Sequence, residues 1–301
     1  MNTRIKEITV KGIITKSKLP DANYVINPYT GCEFGCAYCY ASFMGRFVNE
    51  PIEGWGAYVY VKTNAVELFK QEASKVAAEG SETVVLLSSV TDAYQGVESK
   101  YCLTKGILQA AVQTRFPALI SILTKSALVE RDIEILTQLP RVEVGLTVTT
   151  TDDAISRFLE VRASSASRRI MTLRKLNEAG LPTYAFVGPL LPHFVYRADE
   201  LEKVFKAIAE AGTKEVYVEH MNLAKYIRTR LNEVLKTESD EVRAVYKFAA
   251  EEEHHEKLRN VVNNLIQRYN LKLRLGQTIE HGKSDGLKGR NTSHQNSIAA
   301  N

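Results

Sequence analysis

Short runs of β-branched and aliphatic residues recur along the chain, separated by longer stretches whose apolar positions follow a helical period. Strands are predicted at YVYVK (58–62), TVVLLSS (83–89), ALISILT (118–124), VEVGLTV (142–148), PTYAFVG (182–188), EVYVEH (215–220) and LKLRLG (271–276), with a further short one at YVIN, just before Cys32. Helical stretches lie between them. NAVELFKQEASKVAAEG ends on Gly80 and SRRIMTLRKLNEAG on Gly180, each glycine suited to the left-handed turn that follows a helix.

Strands that are apolar throughout, such as TVVLLSS, fit a sheet buried on both faces, as parallel sheets with helical crossovers are. The alternation predicts an α/β fold, a barrel or partial barrel of parallel strands. In such folds chemistry collects at the C-terminal ends of the strands. The polar groups there are Ser88, Ser89, Thr91 and Asp92, then Lys125, then Thr147 and Thr149, and finally Glu219, His220 and Asn222.

From about 222 to 269 the sequence is helical, mixed in charge and free of Pro and Gly, which predicts a solvated helical extension. His254 and His255 are adjacent there and are expected to be plain surface residues. The expected organisation is one domain over 1–276, with a core at about 24–220 and the extension at about 222–276, then a mobile polar tail over 281–301.

Composition narrows the class. The 301 residues are 45% hydrophobic and 25% charged, the profile of a globular protein. Its 39 basic against 35 acidic residues leave an excess too small to demand a polyanionic partner. No 18-residue apolar run and no signal-peptide core occur, so a cytoplasmic protein that does not enter a membrane is expected. In a reducing compartment, clustered cysteines are more often metal or redox groups than disulfides.

Such a cluster exists. GCEFGCAYCY (31–40) places Cys32, Cys36 and Cys39 in a C-x3-C-x2-C spacing, in a loop that Gly31 and Gly35 allow to fold tightly. Structural zinc closes a tetrahedron with four ligands, and no second ligand pair lies nearby. Ordinary four-iron clusters also take four cysteines, so three imply either a missing ligand or one iron kept open. The plain alternatives are a zinc-stabilised nucleic-acid module, which needs a second pair, and an electron-transfer iron-sulfur protein, which needs a fourth ligand.

CEFGCAYC resembles the signature of the radical S-adenosylmethionine superfamily, down to the aromatic Tyr38 before the last cysteine. NPYTGCEFGCAYCYA, SSVTDAYQGVE, LTKSALVERD, TVTTTDD and NEAGLPTYAFVGPLLP are similar to successive motifs of its spore photoproduct lyase-like branch, over roughly residues 24–220. The resemblance implies a partial (β/α)6-type TIM barrel and a [4Fe-4S] cluster on Cys32, Cys36 and Cys39. It implies that S-adenosylmethionine closes the fourth iron and lies near Thr91, Asp92, Lys125, Thr147 and Thr149. A cation such as Lys125 suits the methionyl carboxylate, and short hydroxyls suit the ribose. A flavodoxin or ferredoxin-type donor would reduce the cluster, and the resulting 5'-deoxyadenosyl radical would take hydrogen from a small molecule, a peptide or a nucleic acid.

By the same resemblance Tyr38 and Tyr40 are candidates for radical relay, against the plainer alternative of aromatic packing. The lyase's hydrogen-donating cysteine aligns near Ser89, whose O–H bond is too strong to quench a carbon radical, so photoproduct repair by that route is not expected. Cys102 is the remaining thiol, a candidate hydrogen donor or simply a small buried hydrophobe. FLEVRAS carries Glu160-Val161 where relatives have Glu-Pro. His193, Glu219, His220 and Asn222 lie where a substrate would sit, and RASSASRRIMTLRKLN (162–177), with five basic and no acidic residues, is a possible phosphate-gripping face.

Overall fold

A computed structural model describes residues 3–281; the tail predicted to be mobile lies outside the described residues from 282 onward. The strands are β1 Arg4–Ile8, β2 Ile14–Lys16, β3 Tyr24–Ile26, β4 Tyr29–Thr30, β5 Tyr58–Lys62, β6 Val84–Leu87, β7 Leu119–Thr124, β8 Val142–Thr147, β9 Thr183–Leu190, β10 Glu215–His220 and β11 Lys272–Leu273. The helices are α1 Ala65–Ala77, α2 Glu98–Tyr101, α3 Leu103–Gln113, α4 Ile133–Leu136, α5 Asp153–Leu159, α6 Ala166–Glu178, α7 Ala198–Glu210, α8 Lys225–Val234, α9 Asp240–Phe248 and α10 Glu252–Arg268.

Strands β3, β6, β7, β8, β9 and β10 lie side by side, each parallel to the next. Helices cross over between them, which is what continuous apolar strands require, since both faces must be covered. β2 closes one edge antiparallel and β11 extends the other in parallel, so the sheet is a six-stranded partial (β/α) barrel with short additions at its rims. The predicted fold class holds.

Its lower end is plugged. Near the strand starts, the Arg274 guanidinium lies between the Tyr184 and Tyr217 rings, 4.8 and 5.0 Å from their centroids, and donates to both Glu143 oxygens at 3.0 Å. The Tyr184 hydroxyl donates to the Ile122 carbonyl at 3.0 Å. With that end filled, the C-terminal strand ends are left to build a site.

Four expectations change. YVYVK forms a strand, but β5 belongs to a separate three-stranded sheet, between β1 and β4. β1 was not read from the sequence because its residues are largely exposed and alternate in charge instead of forming an apolar run. The stretch 222–269 is broken into three helices, α9 starting where the Ser239 hydroxyl accepts from the Val242 N–H. LKLRLG keeps only two strand residues, because Leu275 and Gly276 turn into positive φ. His254 and His255, expected on the surface, are 9% and 8% exposed: α10 packs on α7 and turns both rings into the protein.

Candidate active site

The cysteine loop follows β4 and sits against the ends of β6, β7 and β8. Gly31 has φ +90°, and a Cβ there would stand 2.5 Å from the Tyr58 carbonyl oxygen and 2.8 Å from its ring. Only glycine lets the loop pass so close to β5. Gly35, at φ +60°, packs on Gly56, where an added Cβ would come within 2.9 Å of the Gly35 Cα.

Side chains from several elements then pin the loop. Thr91 Oγ1 and Gln95 Nε2 both donate to the Gly31 carbonyl, the latter at 3.2 Å, and the Glu33 N–H donates to Gln95 Oε1 at 2.9 Å. The Glu33 carboxylate in turn accepts from the Val97 N–H at 2.7 Å. The Tyr40 hydroxyl donates to the Ser89 carbonyl, and the Tyr226 hydroxyl to the Tyr40 carbonyl at 3.0 Å. From α8, Arg230 Nη2 donates to the Cys36 carbonyl at 3.2 Å.

Cys32 and Cys36 are buried, Cys39 is half-buried, and all three are free thiols. Burial, more than anything else, pushes each above the ordinary thiol value, Cys36 to about 12; Cys36 and Cys39 raise Cys32 further, and Cys39 raises Cys36. Burial therefore makes bare thiolates costly at all three positions. A metal centre that takes all three as thiolates removes that cost, and the donor set therefore fits an iron-sulfur cluster held by three cysteines.

Lys125, at the end of β7, places its Nζ 5.8 Å from the Tyr38 ring centroid. Burial works against its charge, yet Cys36, Glu160 and Cys39 outweigh it and the ammonium is held above its usual value. Among the described residues no carboxylate pairs with it at ion-pair distance. Thr149 Oγ1, at the end of β8, is buried and without a hydrogen-bond partner among the described residues. A cation near the thiols without a carboxylate at ion-pair distance, and an unsatisfied hydroxyl after the neighbouring strand, fit a zwitterionic amino acid such as the methionyl group of S-adenosylmethionine.

Other expected residues have structural partners. Asp92 is buried and accepts from Thr124 Oγ1 at 2.7 Å, the Lys125 N–H at 2.9 Å and the Tyr94 N–H at 2.9 Å, so it locks the ends of β6 and β7 together. The Thr147 carbonyl accepts from Arg169 Nη1 at 2.8 Å. Tyr38 donates to Glu160, which pairs with Arg169, and the Arg169 and Glu160 side chains are 0% exposed. Burial opposes the Glu160 charge, but Arg169, Lys125 and the hydrogen bonds prevail and hold it below the usual carboxylate value. Cys102 Sγ lies 3.8 Å from Arg131 and 3.9 Å from the Ser99 carbonyl, in a network with Glu98.

The expected substrate residues separate. Adjacent strand positions face opposite ways: Glu219 meets His281 at 3.1 Å, whereas His220 stacks on His255 of α10 with ring centroids 4.4 Å apart. His193 Nε2 is 3.6 Å from Glu200 of α7, and Asn222 Oδ1 accepts from the Ala224 N–H at 3.0 Å in a local turn. The basic stretch 162–177 is largely spent within the fold: Arg169 on Glu160, Arg168 and Lys175 on Glu130, and Arg162 on Thr3 and the Gly56 carbonyl. Gln95, Arg169 and Arg230 were not foreseen as parts of the site.

With that geometry established, the comparisons agree with it. The Radical SAM superfamily model matches residues 26–208. This chain belongs to the radical S-adenosylmethionine superfamily and is an enzyme of it, with the [4Fe-4S] cluster and S-adenosylmethionine as its cofactors. An uncharacterized protein of Methanocaldococcus jannaschii is 38% identical over 197 residues, covering 65% of this chain and 71% of that protein. An uncharacterized Mycobacterium tuberculosis protein is 28% identical, covering 72% and 66% respectively. Spore photoproduct lyase complexed with dinucleoside spore photoproduct shares the fold at TM-score 0.69 and 16% identity, over 89% of this chain and 81% of that one. A mutant of the lyase with bound AdoMet and dinucleoside spore photoproduct gives TM-score 0.70. Among the described residues no helix is long and apolar enough to cross a membrane.

Proposed function

We propose that this enzyme abstracts hydrogen from a substrate bound over the C-terminal mouth of the barrel and completes its cycle without the lyase's thiol donor. Cys32, Cys36 and Cys39 hold the cluster, while Lys125 receives the S-adenosylmethionine carboxylate and Thr149 one of its polar groups. When bound, the cluster and S-adenosylmethionine together supply a one-electron route to hydrogen abstraction. The observation that carries the reading is Lys125: against its burial, Cys36, Glu160 and Cys39 keep it charged, yet no carboxylate among the described residues reaches it at ion-pair distance.

The chain's own groups do the rest. Tyr38, fixed by Glu160, walls the site beside Lys125, and Tyr40 ties the loop to the end of β6. Both hydroxyls are committed to acceptors, which favours positioning over radical relay. Ser89, near which the lyase's thiol aligns, has its hydroxyl accepting from Asn27 at 3.3 Å, and Cys102 is occupied with Arg131 and Ser99. A reductant of flavodoxin or ferredoxin type and a substrate other than the spore photoproduct complete the reading.

The test is anaerobic reconstitution with iron and sulfide, reduction with dithionite, and chromatography of 5'-deoxyadenosine. Wild type is expected to form it and Cys36→Ala to form none. Lys125→Met is expected to keep the cluster spectrum but bind S-adenosylmethionine about 10- to 100-fold more weakly, the worth of a hydrogen bond to a charged group. A cluster-loaded wild type that never cleaves S-adenosylmethionine would sink the proposal, as would unchanged binding by the lysine variant.

A further inference from the structure

A second cluster of ligand-type side chains lies outside this site, where the C-terminal segment and α10 meet the end of β10. His255 Nδ1 is 3.9 Å from Glu280 Oε2, and His220 Nε2 is 4.0 Å from Glu280 Oε1. Ligand atoms of Glu252, His255 and Glu280 all fall within 4.8 Å of one another. The radical chemistry has no use for any of them.

Two observations separate this group from a chance surface cluster. His220 is 1% exposed, and its Nε2, directed at Glu280, has no hydrogen-bond partner among the described residues. A buried imidazole nitrogen left this way is costly unless something fills the gap. The second observation is the tautomer of His255. Its Nε2 lies 3.0 Å from the Ala249 carbonyl, so that nitrogen carries the proton and Nδ1 turns its lone pair toward the Glu280 carboxylate. A histidine that donates one ring N–H to a backbone carbonyl and offers the other nitrogen is arranged as metal-ligating histidines are.

Two imidazole nitrogens thus face one carboxylate at 3.9 and 4.0 Å, too far for hydrogen bonds and open to a bridging cation. Arg259 is the cation there now, reaching Glu280 through Nη1 and Glu252 through Nη2 at 2.6 Å, with its side chain 30% exposed. His254 and His281 are the other titratable groups near the ring pair; His254 stands edge-on to His255 at 6.5 Å and His281 is engaged with Glu219.

We infer that His220 Nε2, His255 Nδ1 and the Glu280 carboxylate, with Glu252 at the open side, form a binding site for a divalent transition metal of the zinc type. Two imidazoles and one or two carboxylates are a zinc ligand set. Ligand atoms sharing a tetrahedral zinc stand roughly 3.3 Å apart at bond lengths of about 2.0–2.1 Å; from the observed 3.9 and 4.0 Å, binding draws the ligands in and turns one ring of the His220–His255 stack. The ion would displace Arg259 and tie three segments together: the end of β10, the start of α10 and residue 280. Its role would be to pin the C-terminal layer to the barrel edge, apart from the iron-sulfur centre.

Equilibrium dialysis of zinc against the cluster-loaded full chain, whose loop thiols are occupied, tests this. One zinc per chain is expected, with X-ray absorption showing nitrogen and oxygen neighbours and no sulfur. His255→Ala and Glu280→Gln should each weaken binding at least 100-fold, Glu253→Gln on the same helix should leave it unchanged, and Arg259→Gln should tighten it by removing the competing cation. Sulfur neighbours, no retained zinc, or binding indifferent to the His255, Glu280 and Arg259 changes would each overturn the inference. If the histidine variant fails to fold, the absorption spectrum of wild type and the arginine variant still decide. None of these readouts depends on S-adenosylmethionine cleavage.

Discussion

Arg169 carries a guanidinium to a place where its side chain is 0% exposed, and both terminal nitrogens find oxygen partners while Nε has none among the described residues. Nη1 meets the Thr147 carbonyl, while Nη2 meets Ser156 Oγ and Glu160, which also receives Tyr38. Removing one partner of such a pair leaves the other charge buried and alone, at a cost of about 3–5 kcal/mol. Arg169→Met should therefore lower urea-unfolding stability by that amount; a loss under about 1 kcal/mol would mean that Glu160 is solvated in the variant. The double variant Arg169→Met, Glu160→Gln should recover part of the loss, because no ion is then stranded. From the sequence Arg169 was read only as one of the five basic residues of 162–177, although a signal for its burial was present. Ala166, Arg169, Leu173 and Leu176 share one helical face of α6, and an arginine in an apolar stripe announces a buried charge. Its partner, in a different helix segment, follows no spacing rule.

At the scale of elements, the cysteine loop is a short path that only its scaffold makes rigid. Gly31→Ala would drive a methyl group into the Tyr58 carbonyl and ring in a backbone conformation that alanine rarely adopts. The expected outcome is loss of cluster absorbance and bound iron while the far-ultraviolet dichroism of the barrel is kept. A variant that still takes up a full cluster would show that the loop has room the structure denies it. The three cysteines and two glycines of this loop were readable because metal ligation fixes residue type and spacing over a few residues. Its supports were not: Gln95, Glu33 and Arg230 are ordinary polar residues whose roles come from what lies beside them after folding. Thr91 shows the difference well, since strand-end placement marked it as a candidate for the cofactor, yet its hydroxyl is spent on the Gly31 carbonyl.

Across the whole molecule, the six parallel strands were readable because burial on both faces writes itself as uninterrupted apolar sequence. β5 has the same signature, and nothing local tells it that β1 and β4, not the barrel, will be its neighbours. The helical extension was read as a solvated cap, but α8 lays Ile227 and Leu231 on the barrel and brings Arg230 to the cysteine loop. Burial lowers the Arg230 pKa, while the thiols of Cys39 and Cys36 favour its charge. Arg230→Ala should leave the fold intact and make cluster iron at least about tenfold quicker to extract with a chelator, the factor expected when a charge-assisted hydrogen bond is lost. Equal extraction rates would remove α8 from the site.

The Arg230 contact spans 194 residues of chain. A ribosome that has just delivered β10 has made every strand of the parallel barrel and all three thiols, but not the guanidinium that latches their loop. The nascent protein thus passes through an interval in which its iron-binding cysteines sit on a finished wall behind an unlatched door. Iron that arrives in that interval meets the three thiols before α8 has closed on their loop.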